Sequence, residues 1–165
     1  MENSEEDVHK KSMELACKLA SRSITRGSGP FGAVIIHNTT GEIVGRGHNM
    51  VTTNNDPTLH AEIVAIRNAC HLLQTFSLEE CTLYTSCEPC PMCLSAAYLA
   101  RISAIYYGNT KEDAKNIGFD DSFIYDEIQK PIENRAMKMV HMKECAELAK
   151  TAFDEWANKE DKTEY

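Results

Sequence analysis

Two short stretches, HAE at residues 60–62 and PCPMC at 89–93, constrain the fold of this chain more than anything else in it. One imidazole and two thiols form a soft donor set that suits zinc, but only if the fold brings them together across a long intervening segment. Cys90 and Cys93 are three apart at the start of a helix predicted over 91–102, so their side chains share a face. Pro89 and Pro91 fit that entry, because proline is tolerated in the first helical turn. The free amides of that turn favour thiolate over thiol. His60 and Glu62 open a second predicted helix, over 60–73. Residues i and i+2 do not share a face inside a helix, but a residue at the cap can point differently. His60 can then coordinate while Glu62 reaches a bound water. Three protein ligands leave a fourth position open, as catalytic zinc sites do, so the cofactor expected is Zn2+. Two neighbouring thiolates should raise the pKa of Glu62, which equips it to take up a proton and return it.

Each piece alone has a plainer explanation. A single CxxC also fits a structural or redox site, and a histidine before a helix also fits a cap. The best plain reading of the whole set is a closed structural zinc with Cys87 as fourth ligand, which leaves Glu62 without a role.

The rest of the chain reads as one mixed-sheet α/β domain. An amphipathic helix over 8–20 ends at GSGP (27–30), and strands at 33–37 and 43–46 flank the turn NTTGE as a hairpin. NNDP (54–57) marks a loop before the histidine-bearing helix. Further strands are predicted at 81–86, 104–108 and 137–141, with helices around 111–117, 122–129 and 143–157. Five strands result, antiparallel in the hairpin and parallel where strand and helix alternate after residue 57.

Composition narrows the partners. The 165 residues carry a net charge of −8, with lysines and arginines scattered. The lack of a basic patch argues against nucleic acid and for a small neutral substrate. No apolar run approaches the roughly 20 residues of a membrane span, and residues 1–12 are polar rather than a signal peptide, so the expected location is cytoplasmic. The seven cysteines then read as free thiols and metal ligands.

The pattern H-x-E…P-C-x-x-C is the signature of zinc deaminases acting on nucleobases. Together with GPFGAV (29–34), HNMV (48–51), NDPTLHAEIVAIRNAC (55–70), LYTSCEPCPMC (83–93) and IGFDDSFIYDEI (117–128), it makes residues 10–165 resemble the guanine deaminases of the cytidine-deaminase-like superfamily. That resemblance implies a three-layer α/β/α sandwich around a mixed five-stranded sheet. It also implies a homodimer in which the C-terminal helix and lid segment, 143–165, is swapped between subunits. The implied reaction is guanine plus water giving xanthine and ammonia. Guanosine, tRNA adenosine or free cytosine as substrate, and a non-catalytic zinc-stabilised binding module, are the competing readings.

On the same resemblance His60, Cys90 and Cys93 hold zinc, Glu62 shuttles protons, and Asp121 assists the departing amine. Asn49 and the backbone at Ala61 bind the purine, Phe31 packs on its ring, and Tyr165 covers the pocket. From the residues alone, Asn49 also fits a turn and Phe31 also fits the core. One of Asp120 and Asp121 should cap the next helix, without spacing deciding which. The tail NKEDKTEY (158–165) has the composition of a disordered terminus, against the lid that the resemblance implies.

Overall fold

The structure is a computed structural model that describes residues 5–165. It divides into two compact units, the first running to Ile124 and the second spanning Tyr125–Tyr165.

The first unit is built on four strands: β1 (Gly32–His37), β2 (Ile43–His48), β3 (Cys81–Cys87) and β4 (Ala104–Asn109). They lie in the order β2-β1-β3-β4. β1 is antiparallel to β2, as the hairpin pattern predicts, and also to β3, and β3 is parallel to β4. The helices are α1 (Glu5–Thr25), α2 (Val51–Asn54), α3 (Ala61–Leu73), α4 (Pro91–Leu99), α5 (Lys111–Asn116) and α6 (Ser122–Gln129), the last crossing the boundary between the units. Side chains alternate across the sheet. Ala33, Ile35, Cys81 and Leu83 join the α3 residues Ala61, Ala65, Ile66 and Ala69 in one apolar cluster. Val34, Ile36 and Tyr84 join Ala16 of α1 in a second. Helices therefore cover both faces, and β3 is buried along its whole length, as a central strand requires.

α3 sits unusually close to the sheet. A Cβ on Gly47 would lie 2.0 Å from the carbonyl oxygen of Ala61, and one on Gly45 would lie 2.4 Å from that of Ala65. The alanines at 61, 65 and 69, four apart, present a flat ridge, and the two glycines leave the strand bare beneath it. Because β2 and β3 are both antiparallel to β1, their C-terminal ends lie at the same end of the sheet. β2 leads through the short α2 and a loop to the start of α3, and β3 leads through a loop to the start of α4.

The expected fifth strand is not formed. Among the described residues the sheet has four strands, and 137–141 carries no strand assignment. Met137, Met139 and Val140 are exposed there. Their pattern reports local preference for an extended chain, whereas a strand also needs a hydrogen-bonding neighbour.

In the second unit, Arg135 ties the chain together by donating from Nε to Lys130 O at 3.2 Å and from Nη2 to Ile128 O at 3.1 Å. Short 3-10 turns at Ile132–Asn134 and Lys143–Cys145 precede α7 (Ala146–Ala157). The helix predicted over 143–157 thus begins with a 3-10 turn, and its Leu148 and Phe153 are well exposed. Among the described residues, no helix is long and apolar enough to cross a membrane.

Gly47→Ala tests the α3–sheet contact. Overpacking should destabilise the fold by about 1–3 kcal/mol or more, lowering Tm by about 2–4 °C for each kcal/mol. An unchanged calorimetric Tm would mean that α3 does not ride on the strand backbone.

Candidate metal centre and active site

His60 reaches the site from a braced loop. Asp56 Oδ1 accepts from Thr58 N at 2.8 Å and from Thr58 Oγ1 at 2.6 Å, and His60 N donates to Thr58 O at 2.8 Å. His60 is then the N-cap of α3 with extended dihedrals, φ −68° and ψ 157°, while Glu62 lies in the first turn. That break in conformation resolves the i, i+2 problem, since the two side chains leave different kinds of backbone. Cys90 occupies the equivalent place on α4, an N-cap at φ −66° and ψ 169°, with Pro91 in the first turn and Cys93 inside it. Both helix starts direct first-turn amides and the positive end of their dipole toward this region.

The ligand atoms of His60, Cys90 and Cys93 all lie within 4.8 Å of one another. Cys90 Sγ is 3.6 Å from His60 Nδ1. Zinc–sulfur and zinc–nitrogen bonds of about 2.3 and 2.05 Å at the tetrahedral angle put those atoms about 3.6 Å apart, so the spacing fits zinc. Cys87 is not part of the group. Its Sγ donates to Thr110 O at 3.6 Å, and burial pushes its thiol up to about 11. A closed four-ligand site with Cys87 is therefore not what the geometry offers.

Glu62 is buried, with Oε1 accepting from Thr85 Oγ1 at 3.1 Å and Oε2 facing Cys93 Sγ at 3.5 Å. Its pKa is raised, mainly by burial and secondarily by the charge of Cys90, while its own backbone amide and Thr85 pull the other way. The sequence argument had the direction but assigned it to the thiolates alone. Cys90 is lowered to about 4 by the hydrogen bond from Cys93 and then by His60. Cys93, as the donor of that bond, is raised, with burial adding to the effect. His60 is raised by its bond to Cys90, against the effect of burial. The four groups thus shift one another through direct contact, as groups at a proton-handling site do.

The two adjacent aspartates divide their work. Asp120 Oδ1 accepts from Ser122 N at 2.9 Å at the start of α6, and Asp120 Oδ2 lies 3.8 Å from Lys115 Nζ, so the Asp120 carboxylate is taken up by the helix start. Asp121 is instead coupled to the site. Its pKa is raised by partial burial and by the charge of Cys90, with His60 opposing. The adjacent residue Phe119 meets Phe31 edge-on, with ring centroids 4.9 Å apart at 88°. Phe31 is half core and half wall: it packs on the α3-side cluster and lines a pocket of about 390 Å3 with Pro30, Cys87, Asn109 and Ile117.

Asn49 is both a turn residue and a binding candidate. Its buried Oδ1 accepts from Val51 N at 3.1 Å and from Ser28 Oγ at 2.7 Å. Only the oxygen can pair with a backbone N–H, so the amide orientation is determined and Nδ2 remains as a donor. Ala61 is fully buried at the head of α3. Tyr165 is highly exposed and belongs to the second unit. The sequence reading missed Thr85 and Phe119. Thr85 has a legible signal, as the hydroxyl on a face of β3 that otherwise carries Cys81, Leu83 and Cys87.

Residues 6–109 match the family model described as the cytidine and deoxycytidylate deaminase zinc-binding region. The chain belongs to this family of zinc-binding deaminases. It is 48% identical to the guanine deaminase of Bacillus subtilis over 156 residues, covering 94% of this chain and 96% of that one. The X-ray structure of the B. subtilis guanine deaminase superposes with a TM-score of 0.87, covering 95% of this chain and 98% of that one. A structure of guanine deaminase from Nitrosomonas europaea matches at 30% identity and TM-score 0.64, covering 67% of this chain and 63% of that one. The tRNA-specific adenosine deaminase of Aquifex aeolicus is 34% identical over 148 residues, 88% of this chain and 94% of that one.

Cys90→Ala should lose stoichiometric zinc on dialysis against metal-free buffer, whereas Cys87→Ala should keep about one zinc per chain. Metal analysis of the two folded variants decides it. Zinc lost equally from both would restore a four-ligand site.

Proposed function

We propose that this chain is a zinc-dependent guanine deaminase, hydrolysing guanine to xanthine and ammonia. The observation that carries the reading is Glu62, a buried acid held beside a three-donor metal cluster, in a chain matching the B. subtilis guanine deaminase over almost its full length. Zinc held by His60, Cys90 and Cys93 would supply Lewis acidity, acidifying a water at the open fourth position. Glu62 takes a proton from water and delivers it to a ring nitrogen, which lets the amino-bearing carbon become tetrahedral. Asp121 relays a proton to the departing amine, which is otherwise too basic to leave. Asn49 Nδ2 donates to a purine acceptor, the backbone at Ala61 holds the ring edge, and Phe31 packs on the ring.

Under the same proposal the protein is a homodimer of single deaminase domains spanning 1–165, each an α/β/α sandwich whose sheet takes its fifth strand from the partner subunit. The exposed apolar side chains of 137–142 and α7 support this, as does the edge position of β4. The segment 143–165 is exchanged, so that the partner's Tyr165 closes the pocket. The net charge of −8 favours a free base over tRNA, despite the likeness to the A. aeolicus enzyme. None of the seven cysteines is paired in a disulfide, in keeping with a reducing cytoplasmic setting.

The deciding assay is ammonia release by zinc-loaded protein from guanine, guanosine, adenine, adenosine and cytosine. Guanine should be turned over strongly, with xanthine as product, and Glu62→Gln should lose about two to four decades of rate while keeping its zinc. Turnover of guanosine alone would replace the substrate, and near-native Glu62→Gln would end this mechanism.

The exchange has its own test. Glu62→Gln and Tyr165→Ala chains, each weak alone, should recover up to about half the wild-type activity per mixed dimer when co-expressed, because one of its two sites is then intact. No recovery in an isolated mixed dimer would mean that each chain closes its own pocket.

A further inference from the structure

We propose that Thr85 is a positioning residue for Glu62, anchoring one carboxylate oxygen to the sheet so that the other faces the metal centre. The inference rests on the deaminase reading above and adds a residue to it. Thr85 is 1% exposed on the central strand β3, paired with Ala33 of β1 and Tyr107 of β4. A residue laddered on both sides is held by backbone hydrogen bonds in two directions, so its side chain projects from a rigid base. Its hydroxyl has Glu62 as its one hydrogen-bond partner among the described residues, at 3.1 Å. Packing alone would be served by valine, which has nearly the same shape and suits a buried strand face better. The hydroxyl therefore answers to the carboxylate.

The two oxygens of Glu62 are used differently. Oε1 is occupied by Thr85 and Oε2 lies 3.5 Å from Cys93 Sγ, one of the three metal-donor atoms. A glutamate side chain has three rotatable bonds and a broad terminal torsion, so the hydrogen bond to its own backbone amide leaves the carboxylate plane to be fixed by a second partner. The bond from Thr85 removes that freedom at Oε1. A proton carrier must be within hydrogen-bond reach of the atoms it serves, so misdirection by an ångström is costly.

The test compares Thr85→Val, which keeps the shape and loses the hydroxyl, with Thr85→Ser, which keeps the hydroxyl and loses a methyl. Crystal structures of both, with zinc, are the readout independent of turnover. The carboxylate of Glu62 should rotate away or split between conformers in Thr85→Val and stay in place in Thr85→Ser. In steady-state assays Thr85→Val should lower kcat on guanine by about ten- to a hundredfold, the usual scale for a hydrogen bond to a charged group. KM and zinc content should stay within about twofold of wild type, and Thr85→Ser should recover most of the rate. An unmoved carboxylate in Thr85→Val overturns the inference whatever the assay gives. So does a rate loss that Thr85→Ser shares in full, because packing would then be the cause. Wild-type protein inactive on guanine would instead defeat the proposed reaction, and the Glu62 position in the two crystal structures would still decide the role of Thr85.

Discussion

The carbonyl oxygen of Ala61 rests where a side chain on Gly47 would have to be, and the site is arranged around that contact. A helix normally stands off a sheet by the length of its side chains, and packing then leaves some latitude in where the helix begins. Here alanines meet glycines, so backbone meets backbone and the latitude is removed. The start of α3 is pinned beside the end of β2, with His60 and Glu62 on it. The same end of the sheet receives α4 from β3, and with it Cys90 and Cys93. Ligand convergence is thus a result of strand direction and of small residues, with little demand on the loops.

Burial sets the character of this corner. Placing a carboxylate, two sulfurs and an imidazole together away from water is unfavourable unless their charges answer one another. Two helix starts contribute positive potential, Cys90 is held by Cys93 and His60, and burial raises the pKa of Glu62. The groups that stabilise the corner are the groups the proposed chemistry uses, so stability and activity are coupled there.

What the sequence disclosed follows from how far each signal reaches along the chain. HAE and PCPMC are local patterns at helix starts, where cap geometry follows from neighbouring residues, and the structure brings their donor atoms together. The hairpin and the parallel pair were legible from alternation and from the helix between strands. The strand at 137–141 was not, because alternation in MKMVH says nothing about a partner for its ladder. Asp120 and Asp121 could not be told apart by spacing, and the hydrogen bond from Ser122 N that occupies Asp120 could not be read from it either. Thr85 went unnoticed because a buried threonine in a strand is unremarkable until the group facing it is known. The lid role proposed for Tyr165 would depend on a second chain, which no periodicity in the first can reveal.

An asparagine amide is usually an indifferent reader, since half a turn about its last bond exchanges a donor for an acceptor at little cost. Asn49 has lost that freedom, because Val51 N–H and the Ser28 hydroxyl both hold its oxygen. Whatever meets Nδ2 must bring a lone pair, and a ligand offering an amino group at that point would set hydrogen against hydrogen in a buried place. Such a mismatch is penalised far more heavily than the absence of a methylene. A two-residue turn, whose first duty is to steer the chain from β2 into α2, would in this way act as a rule about which heterocycles are admitted.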